Sequence, residues 1–216
     1  MNSIIKKAAL ALGMVAIAQM AHAAGDASAG QAKAAACAAC HGTDGNSPAP
    51  TFPKIAGLGE KYLLKQIHDI KSGARVVPEM VGQLDSMSDQ DMADIAAYFA
   101  SQNIQLSGSE AFSVMLNNGD NVDGLALGRE IFRAGNSATG VPACMGCHSP
   151  TGKGNAPAGY PRLSGQYAEY VEKQLKAFRA GTRANDGDNR VMRTVAKQLS
   201  DAEIKAVANY VAGLTD

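Results

Sequence analysis

Tryptophan is absent from this 216-residue chain, and aromatic residues make up only 5% of it. Small domains with so few large side chains bury little apolar surface, and they usually need a staple, a metal or a cofactor. Neither sign of charge is in excess, with 20 Lys and Arg against 20 Asp and Glu. That balance gives no support for nucleic-acid binding. Long apolar runs are also missing beyond the first residues, so a soluble protein is expected.

The one apolar run lies at the start. MNSIIKKAALALGMVAIAQMAHA places Lys6 and Lys7 before a stretch ending near Ala18, and Ala21-His22-Ala23 offers small residues at the two positions a signal peptidase reads. The stretch is shorter than the ~20 residues of a membrane span, and the layout is that of a secretory signal. Residues 1–23 are therefore expected to be a cleaved signal peptide, with an uncleaved amphipathic anchor as the alternative. The mature chain, 24–216, would then work outside the cytoplasm with 18 basic against 20 acidic residues. Its charge is uneven, six basic and nine acidic residues over 24–107 but twelve and eleven over 108–216. Such a dipole would orient a charged partner, ordinary solvated surface being the other reading.

The mature chain repeats itself. FPKIAG at 52–57 recurs as YPRLSG at 160–165, EKYLLKQIHDIKSGAR at 60–75 as AEYVEKQLKAFRAGTR at 168–183, and MSDQDMADIAAYFA at 87–100 as LSDAEIKAVANYVA at 199–212. The offset is 107 at Cys37/Cys144, 108 through Arg75/Arg183 and 112 from Ser88/Ser200, so the second copy carries two small insertions. Repetition of this kind means two similar units. We read an N-terminal domain over 24–105, a Gly-, Ser- and Asn-rich linker over 106–121 and a C-terminal domain over 122–216.

Each copy reads as helical. Ser88 with Asp91, and Ser200 with Glu203, have the spacing of capping boxes. Behind them Met92, Ile95, Ala96 and Phe99, and Ile204, Val207, Ala208 and Val211, fall at i, i+3, i+4, i+7. Opening helices are expected near 26–38 and 123–134. Gly30 and Gly128 lie within these, where a missing side chain would admit an aromatic residue from another helix, Tyr98 and Tyr210 being the candidates. Gly73 and Gly181 are placed to end the middle helices in a left-handed conformation.

Each unit also contains one CxxCH, CAACH at 37–41 and CMGCH at 144–148. On a helical turn the two cysteines and the histidine share one face. Both thiols can then bond to a haem's vinyl groups while the imidazole reaches the iron, and CxxCH is the attachment signature of c-type haem. A zinc site would want a fourth ligand, commonly Cys or His. His68 is the only other histidine of the mature chain and no other cysteine exists, so two zinc sites cannot both be completed that way. Disulfides would suit an oxidising compartment but leave the following histidine as a coincidence in both copies.

Haem would place His41 and His148 on one iron each, and the repeat points to the second ligands. Met80 aligns with Met192, whereas Met87 and Met92 align with Leu199 and Ile204 and read as core filler. His68 has no histidine opposite it and reads as a surface helix residue.

GDASAGQAKAAACAACHG, SPAP before FPKIAG, YLLKQI and VPACMGCHS together resemble the dihaem cytochrome c4 family over nearly the whole mature chain. The resemblance implies an all-α fold of two tandem class I cytochrome c domains related by a pseudo-twofold axis, with haem edges close together. It implies two covalently bound haem c groups, attached through Cys37 and Cys40 and through Cys144 and Cys147. The axial pairs would be His41 with Met80 and His148 with Met192, and the carbonyls of Pro53 and Pro161 would accept from the other ring N–H of each histidine. Arg75 and Arg183 would pair with haem propionates, or be solvated arginines at helix ends.

In function the family implies a periplasmic electron carrier rather than an enzyme. It would pass single electrons from a donor such as a cytochrome bc1-type complex to an acceptor such as a terminal oxidase, with loose membrane association allowed. The competing readings are a dihaem peroxidase-like enzyme with one open haem, and the cytochrome subunit of a flavin-dependent sulfide dehydrogenase. One local departure stands out. RANDGDNRVM precedes the second methionine but only ARVVPEM the first, so the shorter loop lacks the Asn-Asp pair and leaves polar contacts around its haem open.

Overall fold

The computed structural model describes residues 25–215; the signal peptide expected over residues 1–23 lies outside them. The first domain opens with α1 (Ala27–Lys33), whose first turn is capped by the Asp26 carboxylate accepting from Ser28 N and Ala29 N. A 3-10 turn (Ala34–Cys37) leads into α2 (Ala38–His41), which ends at Gly42 with φ 77°. Then come α3 (Glu60–Lys71), a 3-10 turn (Pro78–Met80) and α4 (Asp89–Ala100). The second domain repeats the order with α5 (Gly124–Ala134), α6 (Met145–His148), α7 (Ala168–Ala180), α8 (Val191–Lys197) and α9 (Asp201–Ala212).

Both expected capping boxes are present, and each holds a C-terminal helix whose predicted stripe is buried. In each domain the first and last helices cross at a glycine. A Cβ on Gly30 would lie 2.0 Å from Asp94 O and 2.9 Å from Tyr98 Cβ; on Gly128 it would lie 2.2 Å from Ala206 O and 2.8 Å from Tyr210 Cβ. The expected tyrosines are there, but the carbonyl of the facing helix comes closer still. Around the crossings lie two cores, one built on Leu58, Leu63, Ile95 and Phe99, the other on Ile131, Phe132, Ile204, Val207 and Val211. Each large side chain so buried contributes about 1.5–3 kcal/mol. Gly73 and Gly181 follow α3 and α7 at φ 78° and 76°, as expected.

The first crossing is also tied by charge. Lys33 on α1 bonds Asp94 and Asp91 on α4 at 2.6 and 2.7 Å. The Asp94 carboxylate, 4% exposed, also accepts from Asp26 N at 2.8 Å and Gln90 Nε2 at 2.7 Å. Lys33 first, then these amides, hold its pKa at about 2 against an ordinary 3.8. A carboxylate depressed on folding contributes stability that is complete above its unfolded pKa and lost as pH falls through the folded one. Urea unfolding of the wild type is therefore expected to weaken between pH 4 and 2. Asp94→Asn should be less stable at neutral pH but show a shallower fall across that window; parallel slopes would refute the account.

The segment read as a linker is not a slack tether. Ser107 Oγ donates to Gly165 O at 2.9 Å, Gly108 N to Ala212 O at 3.1 Å, and the Asn209 side chain brackets Glu110, accepting from its N–H at 3.0 Å and donating to its carbonyl at 2.8 Å. The chain then forms a two-stranded ribbon, β1 (Ser113–Met115) antiparallel to β2 (Asn121–Asp123), with Val114 opposite Val122. Three-residue strands carry no readable alternation, so this ribbon was not foreseen in an otherwise helical fold.

Candidate haem sites

Helices α2 and α6 present the two CxxCH motifs in matched surroundings. His41 and His148 are buried, and their Nδ1 atoms lie 2.9 Å from Pro53 O and Pro161 O. The segment after each carbonyl is wired alike: Gly45 O accepts from the amides of Ile55 and Ala56, and Gly152 O from those of Leu163 and Ser164. A carbonyl only accepts, so Nδ1 carries the proton and Nε2 keeps a lone pair. Burial pushes both imidazole pKa values down, against the smaller opposing pull of the carbonyl. Both rings are thus neutral at pH 7, the form that ligates a metal. An aromatic ring stands near each, Phe52 at 6.3 Å and Tyr160 at 6.1 Å between centroids.

No disulfide joins Cys37, Cys40, Cys144 and Cys147. Burial pushes the Cys37 thiol up and raises that of Cys144 to about 11. A redox-cycling CxxC pair needs the opposite, a depressed thiol. Among the described residues no group of three or more His, Cys, Asp and Glu is arranged to hold a metal ion. The surroundings suit a flat apolar group instead. Ile55 and Ile67 in the first domain, and Leu163 and Leu175 in the second, are only partly buried where they pack against the cores, as are Cys37 and Cys144. Val76 and Val81, on either side of Met80, are 77% and 76% exposed.

The two methionines sit in different frames. Met80 closes the 3-10 turn after Pro78, while Met192 lies in the first turn of α8. The Asn-Asp pair of the longer loop fastens the second frame. Asp186 accepts from Arg193 N at 2.9 Å and Nε at 2.6 Å, and Asn185 Nδ2 donates to Gln66 Oε1 at 3.0 Å and Asp69 Oδ2 at 2.6 Å. His68 is 44% exposed on α3, as a surface residue should be.

Arg75 and Arg183 face one another across the domain boundary. Arg75 donates to Gln66 Oε1 of its own domain at 2.8 Å and to Tyr170 OH and Gln174 Oε1 of the other at 3.0 and 3.2 Å. Arg183 mirrors it, donating to Gln174 at 2.7 Å, Tyr62 OH at 3.2 Å and Gln66 at 3.0 Å. This crossed pairing displays the pseudo-twofold relation and overturns the reading of solvated helix-end arginines, since Arg183 is 9% exposed. Sequence reading missed Tyr62, Gln66, Tyr170 and Gln174, although each pair is identical across the repeat. It also missed Gln166 and Tyr167, for which the repeat offers no signal because Leu58 and Gly59 stand opposite them.

The family model for cytochrome c matches residues 27–103 and again residues 125–215. Cytochrome c4 of Pseudomonas aeruginosa is 55% identical over 214 residues, covering 99% of this chain and 100% of that protein. Cytochrome c4 of Azotobacter vinelandii is 52% identical over 223 residues, with 99% and 100% covered. The crystal structure of reduced recombinant cytochrome c4 from Pseudomonas stutzeri matches with a TM-score of 0.81 at 50% identity, over 88% of this chain and 100% of that one. With a histidine-bearing CxxCH in each matched half, the chain belongs to the cytochrome c4 family, two cytochrome c domains in tandem that each carry a covalently bound haem c.

Proposed function

We propose that this dihaem electron carrier is exported, with its signal peptide cut after Ala23, and passes single electrons between periplasmic respiratory partners. The donor would be of the cytochrome bc1 type and the acceptor a terminal oxidase. Among the described residues no helix is long and apolar enough to cross a membrane. The observation that carries the reading is the buried imidazole of each domain, its Nδ1 2.9 Å from a proline carbonyl, paired through the repeat with a methionine.

Cys37 and Cys40, and Cys144 and Cys147, attach the two groups. His41 with Met80 would hold one iron, and His148 with Met192 the other, leaving neither open to an outside ligand. Haem iron supplies a reversible one-electron couple when bound. Methionine sulfur is soft and neutral and favours the ferrous state, so His/Met ligation raises the potential. Pro53 and Pro161 hold each ring's orientation and tautomer. Among the described residues Arg75 and Arg183 hydrogen-bond to neutral acceptors, which keeps their charge available for carboxylates such as haem propionates.

The test is the visible spectrum of the reduced, periplasmically matured protein with and without carbon monoxide. Two haems per chain and an unchanged spectrum are expected. Binding of carbon monoxide by a full equivalent of haem would overturn the carrier reading in favour of an enzyme with one open iron.

A further inference from the structure

The second domain grips the peptide that orients His41. Gln166 and Lys54 meet at the domain boundary and are 3% and 4% exposed. Gln166 Oε1 accepts from Lys54 N at 3.0 Å, and its Nε2 donates to Lys54 O at 2.7 Å. Lys54 N belongs to the same planar peptide unit as the Pro53 carbonyl, and that carbonyl is the partner of His41 Nδ1 at 2.9 Å. One rigid group is therefore held at its oxygen by an imidazole of the first domain and at its N–H by a carboxamide of the second. Other contacts cross the boundary nearby. Lys54 Nζ donates to Gln105 O at 2.5 Å and lies 4.7 Å over the Tyr167 ring, and Tyr167 OH donates to Ser47 O at 2.6 Å. The counterpart of Gln166 in the first domain is Leu58, whose side chain has neither donor nor acceptor and cannot return the grip.

We infer that Gln166 is a positioning residue for the first haem site, acting on His41 across the domain boundary through the Pro53–Lys54 peptide. The inference rests on His41 being a haem ligand. Hydrogen bonds in series polarise one another, so accepting from Lys54 N makes Pro53 O the stronger acceptor. A stronger acceptor on Nδ1–H makes the imidazole a more electron-rich ligand, which favours the ferric state. The first site thereby registers how the second domain is docked.

The experiment replaces Gln166 with leucine, the residue at position 58, in the full dihaem protein. The reduction equilibrium of the first haem should shift towards ferrous by up to about tenfold, 59 mV for one electron, with the second haem unmoved. In NMR of the oxidised protein the His41 Nδ1 proton should move and the His148 one should not. Tyr167→Phe is the control, because it cuts another bond between the domains without touching the peptide. The inference fails if Gln166→Leu moves neither haem, or if Tyr167→Phe moves the first haem as much. Should Gln166→Leu not load two haems, Gln166→Met, close in volume, carries the same expectation and the same refutation. A wild-type His41 proton with no hyperfine shift would instead refute the ligand assignment itself.

Discussion

Replacing Met80 with alanine is expected to let carbon monoxide bind one of the two reduced haems, and replacing Met192 to open the other, with both covalent attachments intact. The alanine side chain offers no lone pair, so on the proposed ligand assignment each variant would leave iron held by the imidazole alone, its Nδ1 against a proline carbonyl. Loss of the thioether should also lower that haem's potential on the order of 0.2 V, a fraction of the ~0.8 V that axial ligands command. The two variants should differ in their loops. Asp186 and Arg193 hold the second loop without help from its methionine, so Met192→Ala should keep its fold. Among the described residues the first loop has no acid–arginine pair of this kind and it exposes Val76 and Val81, so Met80→Ala should be cut faster there by a protease. A variant that binds no carbon monoxide would move the axial assignment to another residue.

The largest loss of stability is expected at the helix crossings. An added methyl at Gly30 or Gly128 would sit 2.0 or 2.2 Å from a backbone carbonyl oxygen, and backbone cannot rotate aside as a side chain can. The helices would have to part by more than 1 Å, about the difference from an ordinary carbon contact. Overpacking typically costs 1–3 kcal/mol where side chains absorb it, so Gly30→Ala or Gly128→Ala should cost about 3 kcal/mol or more. The controls are Gly73→Ala and Gly181→Ala, which meet nothing within 4 Å and should cost about 1 kcal/mol for the left-handed backbone alone. Thermal melts followed by far-ultraviolet circular dichroism would rank the four. Equal losses at crossing and helix-end glycines would show that the crossings are not the tight points.

What could be read in advance was local or repeated. CxxCH, the capping boxes and the stripes of α4 and α9 are set by neighbours within a turn or two, and the repeat doubled each signal. Gly30 and Gly128 were legible for the same reason, although the facing carbonyl was not, because a backbone atom leaves no mark in a sequence. The domain boundary was hidden by distance: Gln166 meets Lys54 across 112 positions and stands where the repeat breaks. Arg75 and Arg183 posed a different difficulty. Their pairing in the repeat was visible, but an arginine just past a helix looks the same in sequence whether it faces water or another domain.

That crossed arginine contact has an architectural consequence. A surface on which one residue meets its counterpart's neighbours, and the reverse, is what two identical subunits build about a twofold axis. A homodimer, however, writes every substitution twice, so its two metal centres are chemically the same. Joining the copies through a pinned connector removes that constraint. Gly42 stands against Ser149, Ala56 against Ser164 and Leu58 against Gln166, differences that no pair of identical subunits could encode. Tandem fusion thus keeps the docking of a symmetric dimer while letting the two halves acquire unequal chemistry.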